Sequence, residues 1–140
     1  MVTIKCDNNA NVQINSESLE RANLDGLKLH RALLEGENLR GSSLINTDLR
    51  GSFLSDSDLR DADLSEANLI VSSLERVDFR GAILQNARLR WAKLVSADLR
   101  GADLTGADLE SADLKNARYN NATRWPQGLD PISRGAILTP

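Results

Sequence analysis

The chain has 140 residues, 41% of them apolar but only 4% aromatic, so one domain with a core of aliphatic side chains is expected. With 20 acidic against 17 basic residues, the net charge of -3 is too balanced to point to nucleic acid or an acidic substrate. Cys6 is the only cysteine, which excludes an internal disulfide and fits a reducing compartment; no stretch approaches the roughly 18 apolar residues of a membrane span. A cytoplasmic location without membrane contact is the expectation.

Residues 1–18 read as an N-terminal cap or irregular first coil. The segments "VTI" and "VQI" place apolar residues two apart, as an extended segment with one buried face does, but Asp7 and Asn9 stand where a small residue and a leucine would continue the pattern.

From Leu19 to Tyr119 every fifth residue is large and apolar, 21 positions that are all leucine except Phe79 and Tyr119. Neither a helix nor a flat strand can use that spacing. At 100° per residue, five helical steps rotate successive leucines by about 140°, and on a strand an odd spacing alternates faces. The chain must therefore turn within every five residues. The position two residues before each leucine is small: 13 of the 21 positions from Ala22 to Ala122 are alanine. Leucine and alanine thus share an inward face. The position two residues after each leucine holds seven glycines, four asparagines and two aspartates among the 20 residues from Gly26 to Asn121, which marks the corners.

A longer period sets the number of sides. "NLRGSSL" (38–44), "DLRDADL" (58–64), "DFRGAIL" (78–84) and "DLRGADL" (98–104) recur every 20 residues, or four fives. In these features the segment 19–122 resembles the pentapeptide repeat family, whose A-[DN]-L-x-x unit forms a right-handed quadrilateral β-helix. The resemblance implies an all-β fold of about five 20-residue coils, with strand-like bonding between coils and caps at both ends. The ending "TRWPQGLDP" is similar to the tails of some cyanobacterial members. A minority of the family mimics DNA and inhibits gyrase, which is the alternative functional expectation.

Two residues break the inward pattern early. Glu37, with Glu17 one coil below, takes a small-residue position, which predicts a local distortion that lets both carboxylates reach solvent; Leu27 would share it. Residues 123–140 form the tail. It holds all three prolines, and Trp125, Leu129, Ile132, Ile137 and Leu138 are expected to lie across the last coil.

Two outward constellations stand out. Arg40, Arg60, Arg80 and Arg100 align at the 20-residue period, beside Asn38, Asp58, Asp78 and Asp98, and are expected to form a solvated ladder of ion pairs. Leu33, Phe53, Ile70, Val71, Trp91 and Val95 map to outward positions within six residues of register. Phe53 should sit above Leu33 and Trp91 above Val71, forming a patch for a protein partner or a homodimer, or else for a terminal segment of the chain. No constellation suggests catalysis, a cofactor or a metal: His30 is the only histidine, and neither a phosphate loop nor a nucleophile motif occurs. DNA mimicry fits poorly with 14 basic residues among 17 acidic ones in the repeat. The expected function is a non-enzymatic scaffold for protein–protein interaction.

Overall fold

The computed structural model describes residues 1–140 and contains strands and turns but no helix. Its body is a stack of four-sided coils. Parallel bridges link residues 20 apart on each side: Asn23, Ser43, Asp63, Ile83 and Asp103 on side A; Lys28 to Asp108 on side B; Leu33, Phe53, Ser73, Lys93 and Asp113 on side C; and Asn38, Asp58, Asp78, Asp98 and Arg118 on side D. Each rung uses two bonds. On side A, Leu44 donates its amide to the Asp63 carbonyl at 2.7 Å, and Asp63 donates to the Ser42 carbonyl at 3.0 Å.

The corners explain the period of five. Ala62 donates its amide to the Leu59 carbonyl at 3.2 Å, closing a four-residue turn in which Asp61 has φ 59°. A left-handed third residue is what a type II turn requires. Every fifth residue from Arg21 to Asn116 has positive φ, whether it is glycine or not. The aspartate or asparagine before each leucine has a local role too. The Oδ1 of Asp58 accepts the Arg60 amide at 3.1 Å, and that of Asp63 accepts the Ser65 amide at 3.0 Å, so the side chain satisfies a corner donor.

Inside, leucines 24, 44, 64, 84 and 104 form one fully buried column, and the alanines between the leucine columns are buried with them. At most inward positions that hold serine or threonine instead of alanine the hydroxyl finds a carbonyl, Ser57 being the exception. Ser42 donates to Leu39, Ser52 to Leu49 and Thr47 to Leu24, at 2.6–2.8 Å.

The N-terminus departs from the expected irregular coil. Strands β1 (Val2–Ile4) and β2 (Val12–Ile14) pair as an antiparallel hairpin, with Val2 opposite Ile14. Ile4 and Ile14 are buried against the core, and Val2, Val12 and Leu27 pack around them, so the hairpin plugs the open end of the helix. An antiparallel plug presents no parallel template for another coil. The segment between the two strands docks on side C: Cys6 bridges Ala32 antiparallel, and the Leu33 amide reaches the Lys5 carbonyl at 2.8 Å. Glu17 and Glu37 are both exposed, but without the expected distortion. The rung at Glu37 is regular, its amide bonding Leu34 and its carbonyl accepting from Asp58. Ser18 forms no bridge to Asn38, so the side D ladder starts at the rung of Asn38.

At the other end the repeat slips by one residue. Asp103 bridges Arg124, 21 residues on, and the inward position falls on buried Thr123, whereas Ala122, the expected inward residue, is exposed. Asn120 is the extra residue. Its Oδ1 accepts from the amides of Gly101 and Ala122, standing in for a backbone carbonyl of the displaced corner. Asn121, assigned to a corner by the period, accordingly lacks a positive φ.

Strand β3 (Arg118–Tyr119) pairs in parallel with β4 (Ile137–Leu138) of the tail. Trp125 stacks edge-on against Tyr119, ring centres 5.6 Å apart, and Leu129 packs beside it. Ile132, Ile137 and Leu138 do not cover the coil as expected. They are exposed, and Ala136 is the buried apolar residue of the last segment. Gly135 passes so close to the Lys115 backbone that a Cβ would lie 3.3 Å from the Lys115 Cα, and its φ is 87°. No helix is long and apolar enough to cross a membrane.

Candidate interaction surface

Side C, with the corners that flank it, carries the apolar residues singled out above. Phe53 bridges Leu33 directly, as the period requires. Trp91 and Val71 occupy the same corner in successive coils, the corner that holds Gly51 one coil below. Trp91 and Val71 are each 55% exposed and Leu33 is 42% exposed, while Phe53, Ile70 and Val95 are half-buried. Val95 lies at the far end of side C, separated from Trp91 by exposed Lys93, so the six residues form a corner strip with one outlier.

Neither terminus covers the strip. The N-terminal segment touches only the lowest coil, at His30, Arg31, Ala32 and Leu33, and the tail lies on the opposite end, paired with side D and reaching the carbonyls of Leu109 and Ala112. This removes terminal cover as the reason for the apolar residues. Backbone geometry makes them more unusual still. Val71 has φ 58° and Trp91 φ 55°, a left-handed conformation that is an outlier for β-branched and bulky residues and costs about 1–2 kcal/mol each.

The ion ladder lies on side D and its following corner. Arg60, Arg80 and Arg100 each fork onto the aspartate two residues earlier, with Nε to Oδ1 at 2.9 Å and Nη2 to Oδ2 at 2.6 Å. The hydrogen bonds from Arg60, with the charges of Arg60 and Arg40, hold the Asp58 carboxyl below the usual carboxylate range. Weaker contacts of 3.7 Å run upward, from Arg60 to Asp78 and from Arg80 to Asp98. Arg40 lacks a fork because residue 38 is asparagine, and its nearest carboxylate is Asp61 at 3.7 Å. Asp98 is the buried member of the column. Burial pushes its carboxyl up, but hydrogen bonds from Arg100 and the charges of Arg118 and Arg100 outweigh this, leaving it below its ordinary value. Arg118, a second donor to Asp98, is not legible from the repeat because it stands where the pattern has Asp or Asn.

His30 faces Asn8 at 2.8 Å, and no group of three or more His, Cys, Asp or Glu residues is placed to hold a metal ion.

The protein-family model described as Pentapeptide repeats matches in eight copies across segments from residue 18 to residue 118. The chain belongs to the pentapeptide repeat family. Its members form right-handed quadrilateral β-helices and are generally structural or interaction modules. A crystal structure of the pentapeptide repeat protein Rfr23 from the cyanobacterium Cyanothece 51142 is 37% identical, with a TM-score of 0.68 over 70% of this chain and 67% of that one. The pentapeptide repeat protein AT2G44920 from the Arabidopsis thaliana thylakoid lumen is 22% identical, with a TM-score of 0.55 over 71% of this chain and 66% of that one, a likeness of fold alone. QnrB1, a plasmid-mediated fluoroquinolone resistance protein, is 19% identical with a TM-score of 0.34 over 76% of this chain and 77% of that one. No curated protein matches the chain.

Proposed function

We propose that this pentapeptide repeat protein is a non-enzymatic scaffold of about five coils that docks a protein, either a different chain or a second copy of itself, through the strip centred on Val71 and Trp91. One observation carries the reading: two large apolar side chains are more than half exposed on corner residues whose backbone conformation penalises them. The coil itself has no use for apolar residues there, since Gly51 and Ser111 close the same corner in other coils. Large exposed aromatic and aliphatic residues on a rigid support are the usual anchors of protein interfaces.

The alternative, mimicry of DNA toward gyrase, needs a continuous acidic surface. The arginine column on side D interrupts it, so the interaction reading is preferred.

The test is the double variant Val71→Asn with Trp91→Asn, since asparagine already occupies equivalent corners at Asn46 and Asn86. Its circular dichroism should match the wild type while self-association in sedimentation, or capture of a cytoplasmic partner, falls at least tenfold. A variant that keeps every association of the wild type would remove the strip from consideration.

A further inference from the structure

Side D, with the corners on both its edges, contains a groove of about 480 Å³ lined only by polar residues: Arg76, Asp78, Arg80, Ser96, Asp98, Arg100 and Arg118. The ladder breaks at the top of this groove. Side D carries Asn38, Asp58, Asp78 and Asp98 in successive rungs, and the next rung holds Arg118. The sign of the column reverses there, and Asp98 receives both Arg100 and Arg118.

The lining has four guanidiniums against two carboxylates. Arg76 is matched from outside by a two-pronged pair with Asp56, which leaves three guanidiniums on two carboxylates, Arg100 and Arg118 sharing Asp98. The bonds that hold the carboxylates also leave donors free. Arg80 and Arg100 bond protein through Nε and Nη2 and Arg118 through Nη2 alone, so the Nη1 groups of all three and the Nε of Arg118 have no protein acceptor. Guanidiniums with unspent donors along one groove suit a tetrahedral dianion, which accepts several charge-assisted hydrogen bonds at once. The buried Asp98 keeps the forks in place, and its own charge is already taken up.

We propose that this groove binds a phosphate group, either a free phosphate or a phosphorylated side chain of a partner. The site is separate from the apolar strip, so the two proposals fail independently. Titration at low ionic strength with inorganic phosphate, and with a short peptide carrying phosphoserine beside its unphosphorylated form, tests it. Saturable binding of phosphate or phosphopeptide, but not of the plain peptide, is expected. Equal affinity for both anions indicates a small-molecule site, and tighter phosphopeptide binding indicates a partner side chain. Arg118→Gln should weaken binding at least tenfold, whereas Arg50→Gln, which removes the same charge from a forked pair on another corner, should leave it unchanged. Arg118→Lys, which retains the charge beside Asp98, should weaken binding severalfold and carries the comparison if the glutamine variant melts early. Absence of saturable binding by the wild type, or equal losses in the position 118 and position 50 variants, overturns the proposal.

Discussion

Arg118 lies one coil above Asp98 and donates its Nη2 to the Asp98 Oδ2 at 2.8 Å, joining the fork that Arg100 makes on the same carboxylate. The Asp98 side chain is 7% exposed, so its charge is sustained by these partners rather than by water.

Asp98→Asn preserves the shape and removes the charge, and should destabilise the protein by about 1–3 kcal/mol because buried hydrogen-bonding capacity is left unmet. The pH dependence follows from the same contacts. Asp58 and Asp98 are held below their unfolded value of about 3.9, so their contribution is fully present above that pH and is lost as the pH falls through the lower folded values. Melting temperature should therefore be level near neutrality and drop on the acid side of about pH 4, less steeply in Asp98→Asn. Identical acid limbs for the two proteins would contradict the assignment of Asp98.

Packing and surface should respond differently one turn apart. Leu64 is fully buried between identical leucines, and Leu64→Ala should cost about 2–5 kcal/mol; Leu64→Asp should unfold the middle of the rod, since no partner is at hand for the charge. Arg60→Ala, which breaks a half-exposed fork, should leave the melting temperature almost unchanged. Denaturant melts of the three variants check the order.

At the corners, stability and association should move in opposite directions. Val71→Asn relieves an unfavourable left-handed residue and should stabilise by about 1 kcal/mol, as should Trp91→Asn, while both remove apolar surface. A loss of stability in thermal melts would show instead that these side chains contribute packing to the coil.

One guanidinium adds to the β3–β4 pairing in holding the tail. Arg134 Nη2 donates to the carbonyls of Leu109 at 2.8 Å and Ala112 at 2.9 Å, groups at the top of the last coil where no further coil follows. Arg134→Ala should free the tail, and limited proteolysis should then cut beyond residue 124 while the repeat persists. Unchanged proteolysis would mean that the β3–β4 pairing and the Trp125–Tyr119 contact suffice.

Much of this architecture was legible in the sequence because the repeat is self-consistent. A period of five fixes an inward pair and a corner, and a period of 20 fixes four sides, so each column of leucines and arginines followed without reference to distant residues. Hydrogen bonds between neighbouring coils obey the same translation, which is why residue number alone placed Phe53 over Leu33. The corner role of the aspartates was missed because one side chain serves both its own turn and the ion ladder.

Where the translation ends, the sequence by itself was not enough. It determined the coil, its core and the outward direction of Val71 and Trp91, since these depend only on local turn geometry repeated at fixed spacing. The tertiary structure decided the rest. Ile4 and Ile14 are satisfied equally well by a coil or by a hairpin, and the open end of the core selects the hairpin. Asn120 looks like one more pattern residue until its side chain takes the place of a carbonyl and moves the inward position to Thr123. Exposure of the strip likewise depended on where two irregular ends would settle, and they settled on the ends of the rod because unpaired backbone and uncovered leucines are there.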